Sequence, residues 1–196
     1  MNYSLPKQVD INGELFEIRY DFRVILEIIE MLNDPDFEGW EKTEALLNMF
    51  YLTPENIRDK TKAVEACYAF MDQNEKPHKR KSARLIDWEQ DFDYIIAPIN
   101  RVLGYECRAV DYDLHRNTGG VHWWTFMSAY MEMGADCLMA QIVTMRDKLA
   151  RHKKLEKHER EWIRNNRHLI DIRQKFSDKE KAEFDQWIKG GGNTDG

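Results

Sequence analysis

With 196 residues, 42% hydrophobic and 33% charged, the chain is long enough for one core of ordinary size, and neither a collagen-like nor a wholly disordered chain fits it. No run approaches the roughly 18 apolar residues of a membrane span, and the opening MNYSLPKQVD lacks a basic-then-apolar signal, so neither membrane insertion nor secretion is expected. The net charge of −6 conceals an asymmetry, −10 over residues 1–145 and +5 over 146–189, which allows self-pairing, an acidic partner or attraction to phosphates.

Near the N-terminus, Val9 and Ile11 precede Asn12-Gly13, and Leu15, Phe16, Ile18 and Tyr20 follow in near alternation. This predicts a β-hairpin, because Asn-Gly accepts the positive φ values of a two-residue type I′ turn. A lone hairpin is marginal and needs support. The next segment supplies it: Asp21 can cap a helix bearing Phe22, Ile25, Ile28, Ile29 and Leu32, stopped at Asn33-Asp34-Pro35. A second helix is expected from Trp40 to Tyr51, with Trp40, Leu47 and Phe50 on one side. A third starts at Thr53-Pro54, carries Ile57, Val64, Cys67, Tyr68 and Met71, and ends near Asp72. Residues 73–82, polar and basic, read as an exposed loop.

Leu85, Trp88, Phe92, Ile95, Ile99 and Val102 recur at steps of three or four, the strongest periodicity in the chain. They predict a long amphipathic helix, with a kink at Pro98 and a stop at Gly104. Residues 104–121 read as a loop in which Val110 and Tyr112 make at most a very short strand. HWWTFMSAYMEM, from His122 to Met133, predicts a helix ended by Gly134. Asp136 then caps another, carrying Leu138, Ile142, Met145 and Leu149. A charged helix from Leu155 to Arg167 follows, and a last one opens on the Ser177/Glu180 capping box with Phe184, Trp187 and Ile188 as its apolar face. The fold class is therefore mainly α, a helical domain with a small N-terminal β-hairpin. Residues 1–150 form the body, 151–189 the basic-leaning C-terminal helices, in the same domain or as an appendage, and 190–196 a flexible tail.

Motifs that carry chemistry are scarce. Neither phosphate-binding glycine pattern occurs, His158-Glu159 lacks the second histidine of a zinc-protease helix because position 162 is Trp, and no Ser or Cys sits in a nucleophile motif. Cys67, Cys107 and Cys137 are odd in number and widely spaced, which fits a reduced compartment. No catalytic residue, cofactor or metal is expected. Asp87, Glu89, Asp91 and Asp93, at steps of two on a helix, read as a solvated face that complements the helix dipole.

Two interaction surfaces remain. Adjacent Trp123 and Trp124 project about 100° apart on a helix, so of Trp123, Trp124 and Phe126 some build the core and one can anchor a partner, with Trp187 as a second anchor. The basic run within 146–167, including Arg146, Arg151, Lys153 and Lys154, is the alternative, a nucleic-acid surface. Interleaved Asp147, Glu156, Glu159 and Glu161 and a pI near 5.6 oppose it.

Asp87-Trp88-Glu89-Gln90-Asp91, the apolar helix through Ile95, Ile96 and Ile99, and His122-Trp123-Trp124-x-Phe126 together resemble the phage gene-product-fifteen family of tailed phages and prophages of Gram-positive bacteria. The opening from Leu5-Pro6 to Asn12-Gly13 and the stretch KLEKHEREW fit as well, so the resemblance covers most of residues 1–168. It implies a gene lying just before that of the tape-measure protein, the position of tail-assembly chaperones. The expectation is a non-enzymatic tail-assembly protein of the host bacterial cytoplasm. Its partners would be the tape-measure protein and other tail-assembly proteins, and it can form homo-oligomers.

Overall fold

Asn12 and Gly13 both have positive φ, 55° and 89°, and join β1 (Gln8–Ile11) to β2 (Glu14–Glu17) in an antiparallel pair with Ile11 opposite Glu14. The computed structural model describes residues 4–74 and 83–182. The remainder of the expected basic loop, the apolar residues Phe184, Trp187 and Ile188, and the C-terminal glycines lie outside the described residues. Beyond β2 the chain stays extended, and Ile18 bridges Tyr51 while Asp21 bridges His122. That extension ties the hairpin to the helices, which is the support it needs.

Helix α1 (Phe22–Asn33) starts on the Asp21 cap, and buries Phe22, Val24, Ile25 and Ile28. Helices α2 (Gly39–Phe50), α4 (Trp88–Leu103) and α5 (Trp123–Met131) all pack on it. The fully buried Ile18, Phe22, Ile25, Leu46, Phe50, Tyr51, Phe70, Ile95, Ile99, Trp123 and Phe126 form one continuous core. α4 runs unbroken through Pro98, itself buried, and stops at Gly104. The fold is thus mainly α-helical with a small N-terminal hairpin.

Several boundaries and faces differ from the sequence-based expectation, each for a local reason. In α2 the buried residues are Leu46, Leu47 and Phe50, whereas Trp40 is 66% exposed, because α1 has ended at Asn33 beside the first turn of α2. Thr53-Pro54 opens only a short 3-10 turn, Pro54–Asn56; α3 (Lys60–Met71) begins on Asp59, whose carboxylate accepts the Lys62 N–H at 3.0 Å. Its inner face is Ala63, Cys67 and Phe70, and Tyr68 is exposed. The stretch expected to be a loop contains a 3-10 turn, Cys107–Ala109, and a minimal hairpin of β3 (Tyr112–Asp113) and β4 (Thr118–Gly119). Just beyond it Gly120 has φ +70°, and a Cβ there would lie 2.1 Å from Asp21 Oδ2. Only glycine lets the chain pass close enough for that carboxylate to accept the Val121 N–H at 2.8 Å.

Helix α6 (Leu138–Ala150) is capped by Cys137 and not by Asp136, which turns out toward Arg101. Its buried residues are Met139, Ile142 and Arg146, while Leu138 and Leu149 are exposed, so the inward face is rotated by one position from the expected stripe. The charged helix divides at Asn166 into α7 (Lys157–Asn165) and α8 (Arg167–Ile170), and Leu169 joins the core. An extended strap, residues 171–177, leads to the Ser177/Glu180 capping box, in which each residue accepts the backbone N–H of the other.

Candidate partner-binding groove

α1 and α4 lie side by side over α5, and the contact between them is set by aromatic side chains. Phe22 stacks on Phe126 with ring centroids 4.5 Å apart, and Trp88 packs against Phe126, Trp123 and Tyr130 at 5.3–6.3 Å. Above this layer the two helices separate into a groove of about 440 Å³ with Phe22, Leu26, Trp88 and Phe92 as its floor and walls. Arg23, Glu27, Glu30 and Glu89 rim it. An apolar trough edged by charge is the form that receives one face of an amphipathic helix.

The rim is electrostatically graded. At one end Arg23 is held by Asp21, through Nε at 2.7 Å and Nη2 at 3.0 Å, and by the Val110 carbonyl; the hydrogen bond to Asp21 pushes its pKa up. At the other end the Glu30, Asp87 and Glu89 carboxylates lie within 4.8 Å of one another. Burial pushes the Glu30 carboxyl above its ordinary range, and Lys175 pulls it back. The Lys175 ammonium lies 2.8 Å from Glu89 and 3.6 Å from Glu30, so the cation serving this cluster belongs to the chain itself. Asp87 is engaged besides, by Arg84 at 2.7 Å and as N-cap of α4.

Two of the four acidic residues expected on a solvated face are therefore buried, Asp87 and Asp91. Asp91 pairs with Arg146, Nη1 to Oδ2 at 2.5 Å and Nη2 to Oδ1 at 3.0 Å. The same guanidinium donates to the carbonyls of Leu85, Ile170 and Leu169. Burying both charges is tolerable because each of the five N–H donors of the fork has an acceptor. Arg146, expected in an exposed basic run, is 4% exposed.

Trp123 and Phe126 are core, and Trp124 is half-buried. The adjacent tryptophans both serve the end of α3, since Trp123 Nε1 donates to Met71 O and Trp124 Nε1 to Phe70 O, each at 2.9 Å. These are carbonyls of the last turn of that helix, which find no donor within it. His122 joins them by accepting the Trp124 N–H on Nδ1, while Nε2 meets Pro6 O at 2.8 Å. Trp187 lies outside the described residues. Arg151, Lys153 and Lys154 are exposed after α6, and the first two pair with Asp147 at 2.6 and 3.1 Å. Lys148 pairs with Glu159.

Residues 1–172 match the family model described as Bacteriophage Gp15 protein. The chain belongs to that family. It is accordingly a bacteriophage protein, and no curated protein or solved structure is matched. The residues that line the groove all fall within the Gp15-matched span, whereas Lys175 falls after it. Among the described residues no helix is long and apolar enough to cross a membrane. Leu26, Glu27, Glu30 and Lys175 were not singled out by the sequence because each lies off the regular apolar stripes. Their importance comes from which helices and which strap become neighbours.

Proposed function

We propose that this Gp15-family chain is a non-enzymatic structural or assembly-related phage protein, and more narrowly a chaperone that binds the tape-measure protein in the host cytoplasm during tail morphogenesis. The observation that carries the reading is the apolar α1–α4 groove with its acidic end. A long helical protein kept from aggregating must have its apolar stripe covered, and basic residues flanking that stripe would meet Glu27, Glu30 and Glu89. Arg146 is buried in its pair with Asp91 and Lys148 is paired with Glu159, which takes both out of the basic run, so the groove and not residues 146–167 carries the reading.

The test is co-expression with the tape-measure protein of the same genome. We expect the tape measure to remain soluble and to co-purify with the wild-type chain, and Leu26→Glu to weaken capture by about tenfold or more, the worth of one well-buried leucine contact. Equal aggregation of the tape measure with and without the wild-type chain overturns the proposal.

A further inference from the structure

The strap that follows α8 crosses the acidic end of the groove. Gln90 on α4 holds its start at both edges of the side-chain amide: Nε2 donates to Asp171 O and Oε1 accepts the Arg173 N–H, both at 3.0 Å. Lys175 then reaches between Glu89 on α4 and Glu30 on α1, and the Asp178 N–H donates to Asp36 Oδ1 at 2.7 Å, beyond the end of α1. Strap residues Asp171, Arg173, Gln174 and Phe176 are exposed, so the strap is fastened mainly by polar bonds at the surface. Bonds of that kind exchange readily for equivalent ones from another chain.

Resting on the groove reading above, we infer that the 171–177 strap is a displaceable latch, and that the groove's ligand is an amphipathic helix whose lysine or arginine replaces Lys175 between Glu30 and Glu89 as its apolar face settles on Leu26 and Phe92. The partner's chemistry follows from the residue it replaces. Glu30 and Glu89 need a cation, the groove floor needs apolar side chains, and a single helix carries both only where a basic residue flanks an apolar stripe. Release of Lys175 leaves the strap held by Gln90 and by the Asp178–Asp36 bond, so binding in the groove loosens the strap.

The probe is a fluorescein-labelled 20-residue amphipathic helical peptide with a leucine stripe flanked by lysines, its affinity read by anisotropy. Hydrogen exchange of residues 171–178 is followed in parallel. Lys175→Ala should tighten binding by about two- to fivefold, the range of exposed ion pairs. Gln90→Ala, which loosens the strap with no change of charge, should tighten it by a similar factor, and the peptide should speed exchange across the strap of the wild-type protein. If the peptide binds in a Leu26-dependent manner, yet strap exchange is unchanged and neither variant gains affinity, the latch is refuted while the groove stands. Absence of binding by the wild type and both variants, or binding that survives Leu26→Glu, overturns both.

Discussion

Arg146→Ala tests the buried junction on which the C-terminal third of the chain rests. The substitution removes five donated hydrogen bonds, two to Asp91 and one each to Leu85, Leu169 and Ile170 carbonyls. It leaves Asp91, 1% exposed, to the Asp87 N–H as donor. Breaking a buried pair from one side costs about 3–5 kcal/mol, because the surviving charge has neither a counter-charge nor water. Against a total stability of roughly 5–15 kcal/mol the variant stays folded but fragile. In urea, with a slope near 2 kcal/mol/M, the midpoint followed by tryptophan fluorescence should fall by about 1.5–2.5 M. Arg146→Lys keeps the charge and loses the planar fork, so it should fall between. Arg146→Met with Asp91→Leu should recover the charge penalty but not the three unserved carbonyls, and so only part of the loss. A shift under about 0.5 M for Arg146→Ala would refute the reasoning and mean that water serves Asp91 in its place.

Three further expectations concern α5 and the chain that leads into it. Burial lowers the His122 pKa below its ordinary value, so below about pH 6.5 the unfolded chain binds a proton that the folded chain refuses; the stability is fully present above that pH and is lost as pH falls through the lower folded value. Urea midpoints at pH 7 and pH 5 should therefore differ more for the wild type than for His122→Asn, which retains a capping side chain and does not titrate. Gly120→Ala should cost about 2–4 kcal/mol, since its Cβ would collide with Asp21 Oδ2 at a positive φ, and should lower the thermal midpoint by roughly 6–12 °C. Trp124→Phe keeps the ring stack on Phe70 but drops the indole bond to Phe70 O, and should cost about 1 kcal/mol in urea unfolding.

What was legible in the sequence was what short-range physics decides. The Asn12-Gly13 turn, the Asp21 cap, the stop at Gly104 and the apolar stripes of α1 and α4 each depend on residues within about one or two turns. The misread positions depend on distant partners. Nothing between residues 87 and 93 announces that Asp91 meets a guanidinium 55 positions later, and once that pair forms, α6 must turn Arg146 inward and Leu138 and Leu149 outward. α3 starts late because Asp59, a stronger cap than Thr53, offers its carboxylate to the Lys62 N–H. The groove was the least visible feature of all. Leu26 and Glu30 sit on the flank of α1, and they gain meaning only when α4 lies beside them.

The charge asymmetry of the sequence resolves, within the described residues, into pairing of the chain with itself. Acidic residues of the body receive basic residues of the C-terminal segment at two places of different depth, Asp91 with Arg146 in the interior and Glu30 and Glu89 with Lys175 near the surface. Depth separates their responses to salt. The screening length falls from about 10 Å at 0.1 M to about 3 Å at 1 M, which weakens exposed pairs and leaves buried ones almost untouched. Raising salt over that range should therefore speed amide exchange at Arg173, whose N–H on the strap is bonded to Gln90, while exchange at Leu169 and Ile170 beside Arg146 stays constant. If both sites accelerate together, the strap and α8 open as one unit and the latch has no independent hinge. If only the strap responds, the chain has a fixed anchor at Arg146 and a releasable end at Lys175, the arrangement that lets a partner claim the groove without unfolding its host.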